Sequence, residues 1–246
     1  MKLKLIYSII LLLCLNYYSH GQTNRYYYGI KTGSIVSFLS GIDGALFISQ
    51  RRNTVKDLNQ GSTDAYGGVY PFIGGSGGIF GGFYFHKKFM ADLSMTYSIK
   101  GYQDVFEYRN TDTLYRNVDQ LNAHYVDIAL KVRYISRNFI VNLGLLTGAN
   151  LLDRVYHNMD MTVSGVTTSE EKTYFMHDFY GAYRNPFVTG FIWGIGLRIR
   201  RVTVLANVEK TGNIFFQTEK EYKFTSFQLA LEYRLNRIDK RLKRLQ

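Results

Sequence analysis

The chain has 246 residues, 16% of them aromatic, with 21 Tyr, 17 Phe and only 2 Pro. Its net charge is +11, yet no basic helix or base-stacking motif accompanies it, which excludes a nucleic-acid partner. Cys14 is the only cysteine, so once a leader is removed disulfide, zinc-thiolate and cysteine-nucleophile chemistry are all excluded.

The first 21 residues read as a cleaved export signal. Lys2 and Lys4 form a basic start, Leu5 to Leu15 an apolar core, and Ser19-His20-Gly21 a small-residue cleavage site before Gln22. The apolar core is shorter than the about 20 residues that span a bilayer. Loss of the two lysines lowers the net charge to +9.

Eight runs of period-two alternation follow, and in a strand such alternation separates two faces. They cover residues 26–38, 77–85, 88–102, 121–134, 138–151, 187–200, 202–210 and 224–235. In the sixth, FVTGFIWGIGLRIR, Phe187, Phe191, Trp193, Ile195, Leu197 and Ile199 share one face. Gly190, Gly194, Gly196, Arg198 and Arg200 share the other. The links alternate in length: short at 86–88, 135–137 and 200–201, long at 39–76, 103–120, 152–184 and 211–223. Three tight turns and four long loops are the signature of an eight-stranded antiparallel up-and-down transmembrane β-barrel with long extracellular loops. Mean hydropathy, −0.15, does not oppose this, because alternating strands average out. Aromatics on the oily face, such as Tyr28, Tyr97, Tyr134, Trp193 and Tyr233, are expected at the membrane interfaces. The organisation expected is a signal at 1–21, a barrel at 22–236 and a basic periplasmic tail at 237–246, in a cell outer membrane with lipid as its surroundings.

YSIKGYQ (Tyr97 to Gln103) resembles the Tyr-x-x-Lys-Gly signature that ends the third strand of PorT-like outer-membrane β-barrels. LNAHYVDIALKVRY (Leu121 to Tyr134), VNLGLLTGANLL (Val141 to Leu152) and FQLALEYRL (Phe227 to Leu235) are similar to later strands of that family. Ala129 stands where the family often has proline. The resemblance implies an eight-stranded barrel without an assigned activity. One branch of the family belongs to a protein-secretion machine.

An interior this narrow is filled by side chains. The inward candidates are Lys31, Asp92, Lys100, Asp127, Lys131, Arg133, Arg198, Arg200, Glu209, Glu232 and Arg234. Enclosed charges must pair, so an ion-pair plug is expected. The leading functional reading is a non-enzymatic barrel whose loops or tail bind a protein partner. Loop aromatics Tyr66, Tyr70, Tyr156, Tyr174, Phe175, Phe179, Tyr180 and Tyr183 suit such contact. A narrow small-solute channel is the alternative. A rim hydrolase built on His124, His157 or His177 with Asp153, Asp160 or Asp178 is a third reading, but no nucleophile elbow accompanies them. No catalytic, metal-ligating or cofactor-binding set is expected.

Overall fold

The computed structural model describes residues 26–59, 64–175, 185–214 and 222–236. The expected leader, Cys14, the basic tail, and His177, Asp178, Phe179, Tyr180 and Tyr183 lie outside these residues.

Among the described residues the elements run β1 (Tyr26–Ser40), α1 (Ile42–Asn59), β2 (Asp64–Tyr84), β3 (Phe89–Arg109), β4 (Thr113–Ser136), β5 (Phe139–Val163), β6 (Val166–Phe175), β7 (Phe187–Ile199), β8 (Val202–Thr211) and β9 (Lys223–Arg234). All strand pairings are antiparallel. Eight strands close into a ring in the order β1-β2-β3-β4-β5-β7-β8-β9, with β9 returning to β1. Among the described residues β6 pairs only with the outer half of β5. Closure leaves no open edge in the hydrocarbon, where unpaired backbone groups are too costly.

The stagger of the ring follows from the register. Paired residues run from Tyr28 through Gly81, Leu93, Leu130, Leu145, Phe191, Lys210 and Thr225, and return to β1 at Phe38. The circuit re-enters β1 ten residues beyond its start, so the shear is 10. That stagger tilts the strands by about 40°. Every residue on this circuit faces outward, because strands of one barrel share the same alternation.

The oily face meets lipid. Ile30, Leu143 and Leu229 are more than half exposed, whereas Lys131 and Arg133 on the opposite face are fully enclosed. This inversion, apolar out and charged in, is the mark of a membrane barrel. Inward glycines make room. A Cβ at Gly194 would lie 2.3 Å from Asn207 Oδ1, and one at Gly82 would lie 2.0 Å from the Ala91 carbonyl oxygen.

Four features differ from the sequence reading. Residues 39–76 are largely ordered, as α1 and the outer half of β2. β3 and β4 join through a tight tip at 110–112, and β5 and β6 form a second hairpin. Trp193 is not interfacial: it sits at the middle of β7, opposite Leu143 and Val208. Above the oily band, β2 to β6 continue as a five-stranded sheet. Its outward face turns polar at Gln103, Gln120, Asn122 and Arg154. The alternation there loses its oily contrast, so it carried no strand signal. Register shifts between Pro71 and Ser76, and at His124/Tyr125, also reset the phase.

Candidate functional site

The enclosed charges gather in two layers joined by an amide ladder. In the inner layer Arg133 of β4 donates to both carboxylate oxygens of Glu232 on β9, at 2.5 and 2.7 Å, and to Asp92 Oδ1 at 3.0 Å. Lys131 Nζ lies 2.9 Å from Asp92 Oδ1, and the Tyr27 hydroxyl donates to Asp92 Oδ2 at 3.0 Å. In the outer layer Lys100 of β3 donates to Asp127 Oδ2 at 2.8 Å and sits 3.1 Å from Glu209 Oε2 of β8. Ser98 adds a hydroxyl donor to Asp127 at 2.6 Å. Between the layers Asn142 donates to Asn207, Asn207 to Gln228, and Gln228 to Ser76 Oγ, each at 3.0–3.1 Å.

In a ring of eight, β4 faces β9 and β3 faces β8 across the lumen. Arg133–Glu232 and Lys100–Glu209 therefore join opposite walls. A third crossing closes the short-turn end, where Arg198 of β7 and Arg234 of β9 donate to the Tyr84 hydroxyl of β2 at 2.8 and 3.0 Å. Arg234 also lies over the Tyr27 ring, 4.7 Å from its centroid. An apolar cluster including Tyr27, Phe80, Tyr84, Met90 and Ile140 surrounds these arginines.

Lys31, Asp92, Lys100, Asp127, Lys131, Arg133, Arg198, Glu209, Glu232 and Arg234 are all buried on the inner face. Arg200 is not; it is exposed at the β7–β8 turn with φ of 56°, because the chain leaves the strand there and alternation no longer sets direction. Lys31 is buried and makes no ion pair among the described residues. Tyr27 and Tyr84 were not singled out by charge, although both occupy the inward phase that could have found them.

The external mouth is closed by packing. Leu39, Tyr102, Leu121, Tyr125, Val188 and Phe224 form part of a buried cluster, and Phe47 of α1 packs on it. Arg51 of α1 pairs with Asp104, Nε to Oδ1 at 2.9 Å, and lies over the Phe106 ring. The hydrogen bond to Asp104 raises the Arg51 guanidinium above its ordinary value, and burial raises Asp104. Ser37 Oγ on β1 accepts from the Gly101 N–H at 2.8 Å, bracing the Lys100-Gly101 step.

The two described rim histidines, His124 and His157, do not converge. His124 faces outward, its Nδ1 2.5 Å from the Tyr97 hydroxyl. His157 is on the inner face of the external sheet, its Nδ1 2.6 Å from Asp119 Oδ1. Asp153 is buried on that same face and Asp160 lies three residues past His157. Among loop aromatics, Tyr66 and Tyr70 stack with their hydroxyls 2.5 Å apart, and that hydrogen bond raises the Tyr70 phenol to about 12. Tyr156 and Phe175 are exposed, while Tyr174 packs edge-on against His157. No group of acidic, His or Cys side chains among the described residues could hold a metal ion.

No family model and no curated protein matches the chain. Similar solved structures include Ail, the attachment invasion locus protein of Yersinia pestis, at 10% identity, covering 85% of this chain and 98% of that one, with a TM-score of 0.37. Neisserial surface protein A matches at 10% identity, 86% and 98% coverage and a TM-score of 0.37. The outer membrane protein OprG from Pseudomonas aeruginosa matches at 10% identity, 86% and 95% coverage and a TM-score of 0.29. At these identities and scores the likenesses carry no argument about activity, ligand or partner.

Proposed function

We propose that the chain is a non-enzymatic outer-membrane barrel of the PorT-like kind, a closed scaffold that presents its external sheet to a protein partner within a secretion or cell-surface complex. The observation that carries this reading is the set of crossings between opposite walls. Arg133–Glu232, Lys100–Glu209 and Arg198–Tyr84 fill the lumen at three depths. A lumen braced in this way favours a scaffold over a solute path.

The external sheet offers the contact surface. Tyr66, Tyr156 and Phe175 are exposed by 60, 40 and 57%, beyond the oily band. Exposed rings on a rigid sheet lose little side-chain freedom on binding and suit a protein partner. The braced Lys100-Gly101 step supports the PorT-like relation. The domain reading is a leader at 1–21, the barrel at 22–236 and a periplasmic tail at 237–246.

The test is site-specific photocrosslinking in living cells from positions 66, 156 and 175. A reproducible adduct, weakened by Tyr156→Ser and Phe175→Ser, is the expected result. The absence of any adduct from all three positions overturns the partner reading. Planar-bilayer conductance abolished by Glu209→Gln would favour the channel instead.

A further inference from the structure

The lipid-facing wall is not smooth. A groove of about 610 Å³ runs along the junction of β4 and β5. Leu130 and Val132 of β4 line it opposite Leu145 and Leu143 of β5, Tyr134 closes its periplasmic end, and Phe191 of β7 its other end. Asn142 turns its side chain inward to Asn207, so only its backbone can form the floor, and Gly144 beside it has no side chain to give. Phe89 braces the Tyr134 ring, 5.2 Å between centroids. With about 3.3 Å per residue and a tilt near 40°, the rise from Tyr134 to Phe191 is on the order of 15 Å, half the hydrocarbon core.

The foot of the groove is cationic. The Lys88 carbonyl accepts from the Ile135 N–H at 2.8 Å, which lays the β2–β3 turn against the end of β4. Arg137, with φ of 52°, forms the β4–β5 turn on the other side of that strand. Both side chains are exposed. The described short turns carry Lys87, Lys88, Arg137, Arg200 and Arg201 and no Asp or Glu. The carboxylates nearest along the chain to Lys88 and Arg137, Asp92 and Asp127, are buried in the lumen and bonded to Arg133 and Lys100 respectively.

We propose that this groove and its basic foot form a binding site for one inner-leaflet phospholipid with an anionic headgroup. One acyl chain lies between the β4 and β5 leucines, and the phosphate sits between Lys88 and Arg137. The match is one of charge and length together: an apolar slot as deep as one leaflet, ending where cations gather without a competing carboxylate. Zwitterionic lipid fills the slot but gains less from the foot.

The test uses the purified, delipidated protein in detergent, titrated with phosphatidylglycerol or phosphatidylethanolamine of equal chain length and read by native mass spectrometry. One phosphatidylglycerol should bind about tenfold more tightly than phosphatidylethanolamine, as expected for two basic side chains at a headgroup. Lys88→Gln with Arg137→Gln should bring the two lipids to parity. Leu143→Trp, which fills the slot, should weaken both. High salt should erase the preference of the unaltered protein, which keeps the test independent of any variant's folding. Equal binding of the two lipids, or a preference that survives the double substitution or high salt, overturns the site.

Discussion

Arg133 and Glu232 stand on diametrically opposed strands, 99 residues apart in sequence, and meet through two parallel hydrogen bonds at the centre of the barrel. A bidentate guanidinium–carboxylate pair fixes both distance and orientation. It therefore sets how far apart β4 and β9 can be.

Removing the guanidinium leaves Glu232 and Asp92 to share one remaining cation, Lys131, at 4.0 and 2.9 Å. Arg133→Met is expected to destabilise the barrel by about 3–5 kcal/mol, the cost of an uncompensated buried charge. Urea unfolding in lipid vesicles, followed by Trp193 fluorescence, measures it. Adding Glu232→Gln should recover part of the loss. An unchanged midpoint in the single variant contradicts the bracing role.

Two glycines separate crowding from mere flexibility. A Cβ at Gly194 meets Asn207 Oδ1 and the Ala206 carbonyl oxygen within 2.4 Å, whereas one at Gly75 meets nothing within 4 Å. Gly194→Ala should therefore cost about 1–3 kcal/mol, the range for forced overpacking. Gly75→Ala should be near neutral. Equal effects in the same unfolding assay would contradict the crowding argument.

Helix α1 is held at the mouth by Phe47 against Tyr102 and by Arg51 against Asp104. Phe47→Ala with Arg51→Ala should release residues 42–59 to external protease while the barrel's unfolding midpoint stays within about 1 kcal/mol of the parent, because these contacts lie outside the ring. Limited proteolysis on intact cells provides the readout. Unchanged cleavage would show that other contacts hold the helix.

The Tyr66–Tyr70 hydrogen bond predicts an alkaline titration. It raises Tyr70 to about 12, so the neutral phenol is favoured in the folded state. Its stabilising contribution is present below the ordinary phenol value near 10 and is lost as pH rises through about 12. Tyr66→Phe should move the Tyr70 titration back toward the ordinary value, read by ultraviolet difference absorbance. A titration at the same pH in both proteins would remove the coupling.

The ring was legible because lipid imposes a strict contrast on alternation. Phe187, Phe191, Trp193, Ile195, Leu197 and Ile199 face outward, and Arg198 faces in. The sheet above the bilayer was not legible, since Asn117 and Asp119 alternate with Arg116, Val118 and Gln120, and neither side is consistently apolar. Nor was α1, whose Leu46, Phe47, Val55 and Leu58 are interspersed with Gln50, Arg51, Arg52 and Lys56 and form no continuous apolar stripe. Which charges would pair was hidden for another reason. Alternation places Arg133 and Glu232 inside, but only the shear decides that they share a depth.

The partners of the central crossing also lie far apart along the chain. Arg133 belongs to the first half of the barrel, and Glu232 to its last strand. Until that strand docks, a half-built sheet would carry a bare guanidinium and Asp92 toward the hydrocarbon with one partner missing. Insertion should accordingly be concerted: arrival of β9 zips the seam with β1 and neutralises the interior in one event, and a chain truncated before β9 should fail to enter the bilayer.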